Sequence, residues 1–419
     1  MRPIARAVCI AALAAPGFAS AQTASDIQQL RDEINSLRTQ YEARIKALET
    51  KLDAAQQAQA APPPAAAPAP VAVAAPPTPV AAGAPSSANG FNPAIALILS
   101  GLYTRASRDP STYRIAGFTV PSSVDIGPGT RGFSLAESEL ALSANIDPWF
   151  SGSANISIHP DNSVEVEEAF VQTTSLGNGL TVKAGRFKSS IGYLNSQHSH
   201  VWDFVDAPLA YQAMLGGQFA DDGLQVAWLA PTDTFIELRG EIGRGLSFPG
   251  TNSSRNGAGA AALALHTGGD VGDSSSWRAG ASVLDAKGDA GTPDTRVWIA
   301  DGVWKWAPNG NATITNFKLQ GEYLRSVRDD QPTQSGWYAQ AIYQFMRGWR
   351  VGVRTERLDN GGLEAWTPRK NSVMLDWGPS EFSRIRLQFA QDRARPGPVD
   401  NQISLQYQMS LGAHGAHSF

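Results

Sequence analysis

Cysteine is almost missing from this sequence: among 419 residues only Cys9 is present. It lies in the apolar run that follows Arg2 and Arg6, and Ala19-Ser20-Ala21 supplies the small-residue pattern of a cleavage site before Gln22. Residues 1–21 therefore read as a secretory signal peptide. The mature chain is left without a thiol, a disulfide or a thiolate-bound metal, so something else must hold an exported chain of this size. Charge is sparse too, at 17% of residues and a net −4, which excludes the strongly basic surface expected of a nucleic-acid binder. Beyond the signal no apolar run approaches the roughly 20 residues of a membrane-spanning helix. A Gly-x-Ser-x-Gly elbow, a His-Glu-x-x-His pair and a phosphate loop are all lacking. Neither enzymatic chemistry nor a cofactor is expected.

What is present divides the mature chain into three. Within residues 22–55, Ile27, Leu30, Ile34, Leu37, Tyr41, Ile45, Leu48 and Leu52 recur at threes and fours between charged neighbours. That narrow stripe predicts a short coiled-coil helix which self-associates. Residues 56–89 are dominated by Ala and Pro, as in "APPPAAAPAPVAVAAPPTPV"; proline removes backbone donors and fixes φ, so this stretch predicts an extended, semi-rigid linker.

From residue 90 onward the pattern changes to period two. In "QISLQYQMSLGAHGAHSF" the apolar Ile403, Leu405, Tyr407, Met409 and Leu411 alternate with Gln402, Ser404, Gln406, Gln408 and Ser410. One face suits hydrocarbon and the other water. About sixteen such segments can be read, joined by tight turns such as 147–149, 231–233 and 347–348 that alternate with longer connections, notably 106–132 and 188–222. An even strand number, one short-turn side and one long-loop side predict an all-β fold for 90–419: a transmembrane antiparallel β-barrel facing outer-membrane lipid. Trp149, Trp304, Trp306, Trp337, Trp349 and Trp377 fall near strand ends, where interfacial aromatics belong. The terminal Phe419 is the residue by which such barrels engage their insertion machinery.

Strand parity then assigns the side chains that point into the barrel. These are Glu139, Glu165, Glu167, Lys183, Glu237, Arg239, Glu241, Arg278, Asp301, Lys305, Lys318, Glu322, Arg350, Arg354, Glu356, Arg384 and Arg386. Arg186 and Lys188, at the entry to the long connection, join them as pore-lining candidates. Early strands carry acids and late strands carry bases, which predicts opposed walls and a transverse field across a pore. A bulge is expected at "VEVEEAF", where Glu168 would otherwise share a face with Val164 and Val166.

The connection 188–222 exceeds an ordinary loop, and such length within a compact domain is usually functional; it is expected to fold inward and constrict the pore. His198, His200 and Asp203 within it are candidate metal ligands. No fourth ligand is set by spacing, so hydrogen-bonded loop histidines are the simpler expectation. A second pair, His414 and His417, lies close to the C-terminus.

Gly185-Arg186-Phe187-Lys188, in "LTVKAGRFKSSIGYLN" (180–195), resembles a recurring stretch of the phosphate-selective porin family. The N-terminal helix, linker, strand count and terminal Phe are similar to that family as well. The resemblance implies a homotrimeric sixteen-stranded porin of the bacterial outer membrane with its helices in the periplasm. The loop offers Lys188 and then His, Asp and apolar residues in place of that family's dense Lys and Arg, so the solute is left open.

Overall fold

The computed structural model describes residues 93–250, 256–289 and 292–412. The expected signal, coiled coil and linker, together with Phe419, His414 and His417, lie outside them. The described chain builds one antiparallel sheet. In chain order its strands are β1 (Ala94–Ala106), β2 (Gly132–Leu135), β3 (Ser138–Asn145), β4 (Phe150–Ile158), β5 (Val164–Thr173), β6 (Leu180–Lys188), β7 (Ala220–Leu229), β8 (Phe235–Gly243) and β9 (Ala260–Val271). They continue as β10 (Ser275–Ala286), β11 (Thr295–Trp306), β12 (Asn316–Arg328), β13 (Gln331–Met346), β14 (Trp349–Asp359), β15 (Arg369–Ser380), β16 (Ser383–Asp392) and β17 (Asp400–Gly412). Both β2 and β3 pair with β1 and are separated only by Ala136 and Glu137. They form one interrupted stave, so seventeen segments less one make a sixteen-stranded barrel. It closes where β1 pairs with β17, from Ala96 opposite Gly412 to Ala106 opposite Gln402.

Closure removes every open edge, which is how a barrel without disulfides satisfies its backbone donors. The alternation of β17 is realised as expected: Leu405 is 45% exposed on the outside, while Gln406 is 8% exposed on the inside. Among the described residues no helix is long and apolar enough to cross a membrane; the crossing is made by strands. Trp349 stacks on Trp377 with ring centroids 5.6 Å apart, and Trp304 and Phe317 meet at 5.9 Å. These pairs sit at the short-turn ends of β11, β12, β14 and β15. At the opposite rim Tyr103 meets the exposed Phe133 at 4.9 Å, so aromatics mark both interfaces.

One connection on the long-loop side is shorter than the sequence suggested: only Asp329 and Asp330 join β12 to β13, whereas 159–163 joins β4 to β5 as the alternation predicts. β13 has 16 residues, about 50 Å of chain at roughly 3.3 Å per residue, so part of it stands clear of the hydrocarbon. There its outer face needs no apolar residue, and the alternation that betrays a strand fades through "QPTQS". The stretch 267–276, which reads as a turn, is mostly the ends of β9 and β10 for the same reason.

The expected bulge is present. Asn155 pairs with Glu168 and Ile156 with Val166, leaving Glu167 unpaired. Both Glu167 and Glu168 consequently reach into the lumen, where His198 meets them. Across the next seam Gly185 has φ +130°, and a Cβ there would drive into the carbonyl of Ala169. Gly185→Ala should therefore destabilise the barrel by about 2 kcal/mol, readable as a lowered urea midpoint of refolding into vesicles; an unchanged midpoint would refute the close approach.

Candidate functional site

The connection 189–219 folds into the barrel. Its helix α1 (Leu209–Leu215) is buried at all seven positions. Together with Ile191, Leu194, Trp202 and Phe219 it packs on Leu284, Val297, Ile299, Leu324, Tyr338 and Leu358. Those wall residues are the inward positions of β10 to β14, so this part of the lumen is apolar because it receives a helix. Residues 107–131 close over the same cluster: Ile115 joins it, Gly127 N donates to Gln212 Oε1 at 2.9 Å, and Ala116 N donates to the Ala394 carbonyl at 2.9 Å.

Charge fastens the loop to the rest of the wall. On the acidic side, Lys188 lies 3.1 Å from Glu167, while His198 and His200 approach Glu139 at 3.2 and 3.0 Å. On the basic side, Asp203 pairs with Lys318 and, at 3.2 Å, with Arg350. Asp206 pairs with Arg354 at 2.9 Å and Lys370 at 2.7 Å. Burial by itself would raise the Asp203 carboxyl, but Lys318 and Arg350 hold it well below the usual range. Arg354 and Lys370 do the same for Asp206. Arg384 and Arg386 donate to the carbonyls of His200 and Trp202 at 2.6 and 2.8 Å. Glu356 caps the start of α1 by accepting from Leu209 N, as a carboxylate at a helix N-terminus should. Glu241 accepts from Ser190 N at 2.8 Å, and Glu322 accepts from Tyr193 N, Leu194 N, Tyr211 and Tyr338.

Acids of β3–β5 and bases of β12–β16 do occupy separate parts of the lumen wall, but their charges are largely spent on the loop. Glu139, Lys188, Glu241, Glu322, Arg354, Glu356 and Arg386 are all buried and act as anchors, not as charges facing open water. Glu237 and Asp301 are buried as well. Glu165 stands at the outer rim, its side chain 64% exposed beside His159. Arg186 departs from expectation altogether: it shares the outward parity of Ala184 and pairs with Asp222 across the strand at 2.6 Å. Its place at the entry to the loop suggested the pore, but strict alternation from the inward Lys183 turns it outward, as found.

Partly exposed cations remain at seven inward positions: Lys183, Arg239, Arg278, Lys305, Lys318, Arg350 and Arg384. Each lies within five residues of the short-turn end of its strand, and Lys305 and Lys318 are direct register partners. The acids in the same zone, Glu237, Asp301, Asp376 and Asp203, are between 2% and 7% exposed. Water on this side of the loop meets a belt of cations with the carboxylates recessed behind it. Parity alone could have found Asp376, on the inward face of β15, and Glu168 once the bulge was placed; Lys370 was missed because β15 begins two residues earlier than its alternation suggests.

His198 and His200 do converge with a carboxylate, but it is Glu139. Asp203 is engaged on the basic wall instead.

No protein-family model matches the sequence. Among solved structures, the anion-selective porin from Comamonas acidovorans superposes with a TM-score of 0.53 at 9% identity, covering 76% of this chain and 99% of the other. OprB of Pseudomonas putida gives 0.52 at 14%, covering 76% and 94%. A loop-deleted form of OmpT, an outer membrane protein of Vibrio cholerae, gives 0.51 at 10%, covering 76% and 99%. These likenesses establish the outer-membrane porin fold. In sequence, an uncharacterized protein of Aquifex aeolicus (strain VF5) is 30% identical over 393 residues, 80% of this chain and 82% of its own length. The chain belongs to the family of that Aquifex aeolicus protein, built on the outer-membrane porin fold.

Proposed function

We propose that this chain is a passive outer-membrane porin for small hydrophilic solutes, with a preference for anions, and that the inward-folded loop 189–219 forms its constriction. The belt of partly exposed cations backed by buried acids carries this reading. A sixteen-stranded barrel is wide enough for an aqueous channel, and a positive lining beside low-dielectric walls concentrates anions. Solutes would pass where Lys183, Arg239, Arg278 and Lys305 meet water.

Single-channel recording in a planar bilayer under a salt gradient tests it. Stepwise openings with an anion-selective reversal potential are expected; silence from a demonstrably folded barrel would remove the reading. The double variant Arg278→Glu/Lys305→Glu should move the reversal potential towards cation selectivity, whereas Glu165→Gln at the rim should leave its sign unchanged. An unmoved potential in the double variant would assign selectivity elsewhere.

Phosphate preference is the finer form suggested by Gly185-Arg186-Phe187-Lys188, and replacing chloride by phosphate in the same recording decides it. We further propose a homotrimer in the outer membrane, with residues 22–55 as a periplasmic coiled coil joined through 56–89. Light scattering and circular dichroism on the full chain and on a 22–89 deletion test both: the trimer mass should persist and only the helix signal should be lost. A second reading, a metal- or ligand-binding outer-membrane protein that uses the histidine-bearing loop for specific uptake, is favoured by the meeting of His198 and His200 at Glu139.

A further inference from the structure

The outer half of the acidic wall holds a mixed histidine and carboxylate cluster whose spacing is that of a coordination site. Glu139, His198 and His200 each offer a ligating atom, and these atoms lie within 4.8 Å of one another. Glu139 Oε2 is 3.2 Å from His198 Nδ1 and 3.0 Å from His200 Nδ1. Glu167 Oε2 is also 3.2 Å from His198 Nδ1. Ligands bound tetrahedrally at about 2.0 Å from a zinc-sized ion stand about 3.3 Å apart. The observed separations are close to those edges.

The surroundings point the same way. His198 turns its other ring nitrogen, Nε2, to Glu168 Oε2 at 2.9 Å, the carboxylate support that orients metal-bound imidazoles. Pro-free Ser199–Val201 forms a single 3-10 turn that brings the two imidazoles to 5.6 Å between centroids. Charge is unbalanced as well. Glu137, Glu139, Glu167 and Glu168 are four carboxylates, and Lys188, 3.1 Å from Glu167, is the lysine that faces them. Carboxylates this close and this buried repel one another unless further positive charge enters. A divalent ion between neutral imidazoles supplies it together with directed bonds.

We propose that Glu139, His198 and His200, with Glu167 as the fourth ligand, form a binding site for a divalent cation of the zinc class that clamps the loop 189–219 to the β3–β5 wall. Two imidazoles and two carboxylates are a borderline donor set, suited to zinc and its transition-metal neighbours and poorly matched to calcium or magnesium. The site needs no assumption about the transported solute, and its failure would leave the channel reading standing.

The test is calorimetric titration of the folded full-length protein with Zn2+, in a His414→Ala/His417→Ala background that removes the other histidine pair. One equivalent should bind. His198→Ala/His200→Ala should abolish that equivalent, and Glu168→Gln should keep the stoichiometry while weakening affinity about 10- to 100-fold. Absorption of the Co2+ form gives an answer even if the histidine variant fails to fold: an intense visible spectrum of tetrahedral type is expected. Absence of binding, a weak octahedral spectrum, or an equivalent that survives loss of both histidines would overturn the proposal.

Discussion

Replacing Asp203 and Asp206 together by Asn should enlarge the pore and weaken the barrel at once: single-channel conductance should rise severalfold, and the unfolding midpoint should fall. The two carboxylates carry the loop's hold on the basic wall. Asp203 faces Lys318 and Arg350, and Asp206 faces Arg354 and Lys370, with side chains on both partners of the Asp206 pairs no more than 11% exposed. Removing one partner of a buried pair strands the other charge and costs about 3–5 kcal/mol. Here Lys318 would lose its carboxylate, while Arg350, Arg354 and Lys370 would keep Asp376, Glu356 and Asp392, all in a space the loop could leave to water. They would solvate, and the loop would lose its fixed position. These pairs also impose a pH dependence. Both carboxyls are held well below their ordinary range by these cations in spite of burial. A lowered pKa contributes stability above the unfolded value, near 3.9, and loses it only as pH falls from there towards the folded value. Conductance should accordingly stay at its constricted level from neutral pH to about pH 4 and rise below it, and the Asn variant should already show the higher level at neutral pH. A variant with wild-type conductance would mean that the apolar packing of α1 holds the constriction by itself.

Glu322→Ala should be the most destabilising single change in the lumen, about 4 kcal/mol or more. One carboxylate there accepts four hydrogen bonds: Tyr193 N at 3.1 Å and Tyr211 Oη at 2.7 Å on one oxygen, Leu194 N at 2.9 Å and Tyr338 Oη at 2.6 Å on the other. It ties the start of the loop, its helix and the wall strand β13 to β12. Alanine leaves four donors in an apolar cluster, each worth about 1–3 kcal/mol of lost desolvation. Tyr338→Phe removes one donor with its bond and should cost only about 1 kcal/mol. Urea midpoints of refolding into vesicles separate the two variants, and equal losses would show that the network is not centred on Glu322.

Much of this architecture was legible in advance, for reasons that can be followed residue by residue. Ile403, Leu405 and Tyr407 against Gln402, Ser404 and Gln406 report the two sides of a strand with no tertiary information, because successive side chains point to opposite faces. The bulge at Glu167 could be anticipated because Val164 and Val166 demand lipid while Glu168 does not. Where β13 rises clear of the hydrocarbon that constraint lapses, and the extent of the strand could not be read. Arg186 was assigned to the pore from its position at the loop entry, although alternation from Lys183 turns it outward. His198 and His200 were visible as a pair, but their partner Glu139 lies some sixty residues earlier and no local spacing connects them.

By itself the sequence determined that the apolar face looks outward and the polar face inward, since the period of two is a property of the extended chain and lipid exposure is written in every alternate residue. Only the tertiary structure decided which inward charges meet water. Parity gives the side of the sheet, but the path of 189–219 across the lumen buries Arg354, Arg386, Glu139 and Glu322 and leaves Lys183, Arg239, Arg278 and Lys305 partly exposed. Solvation of a charge depends on everything packed around it, and that neighbourhood is assembled from strands hundreds of residues apart.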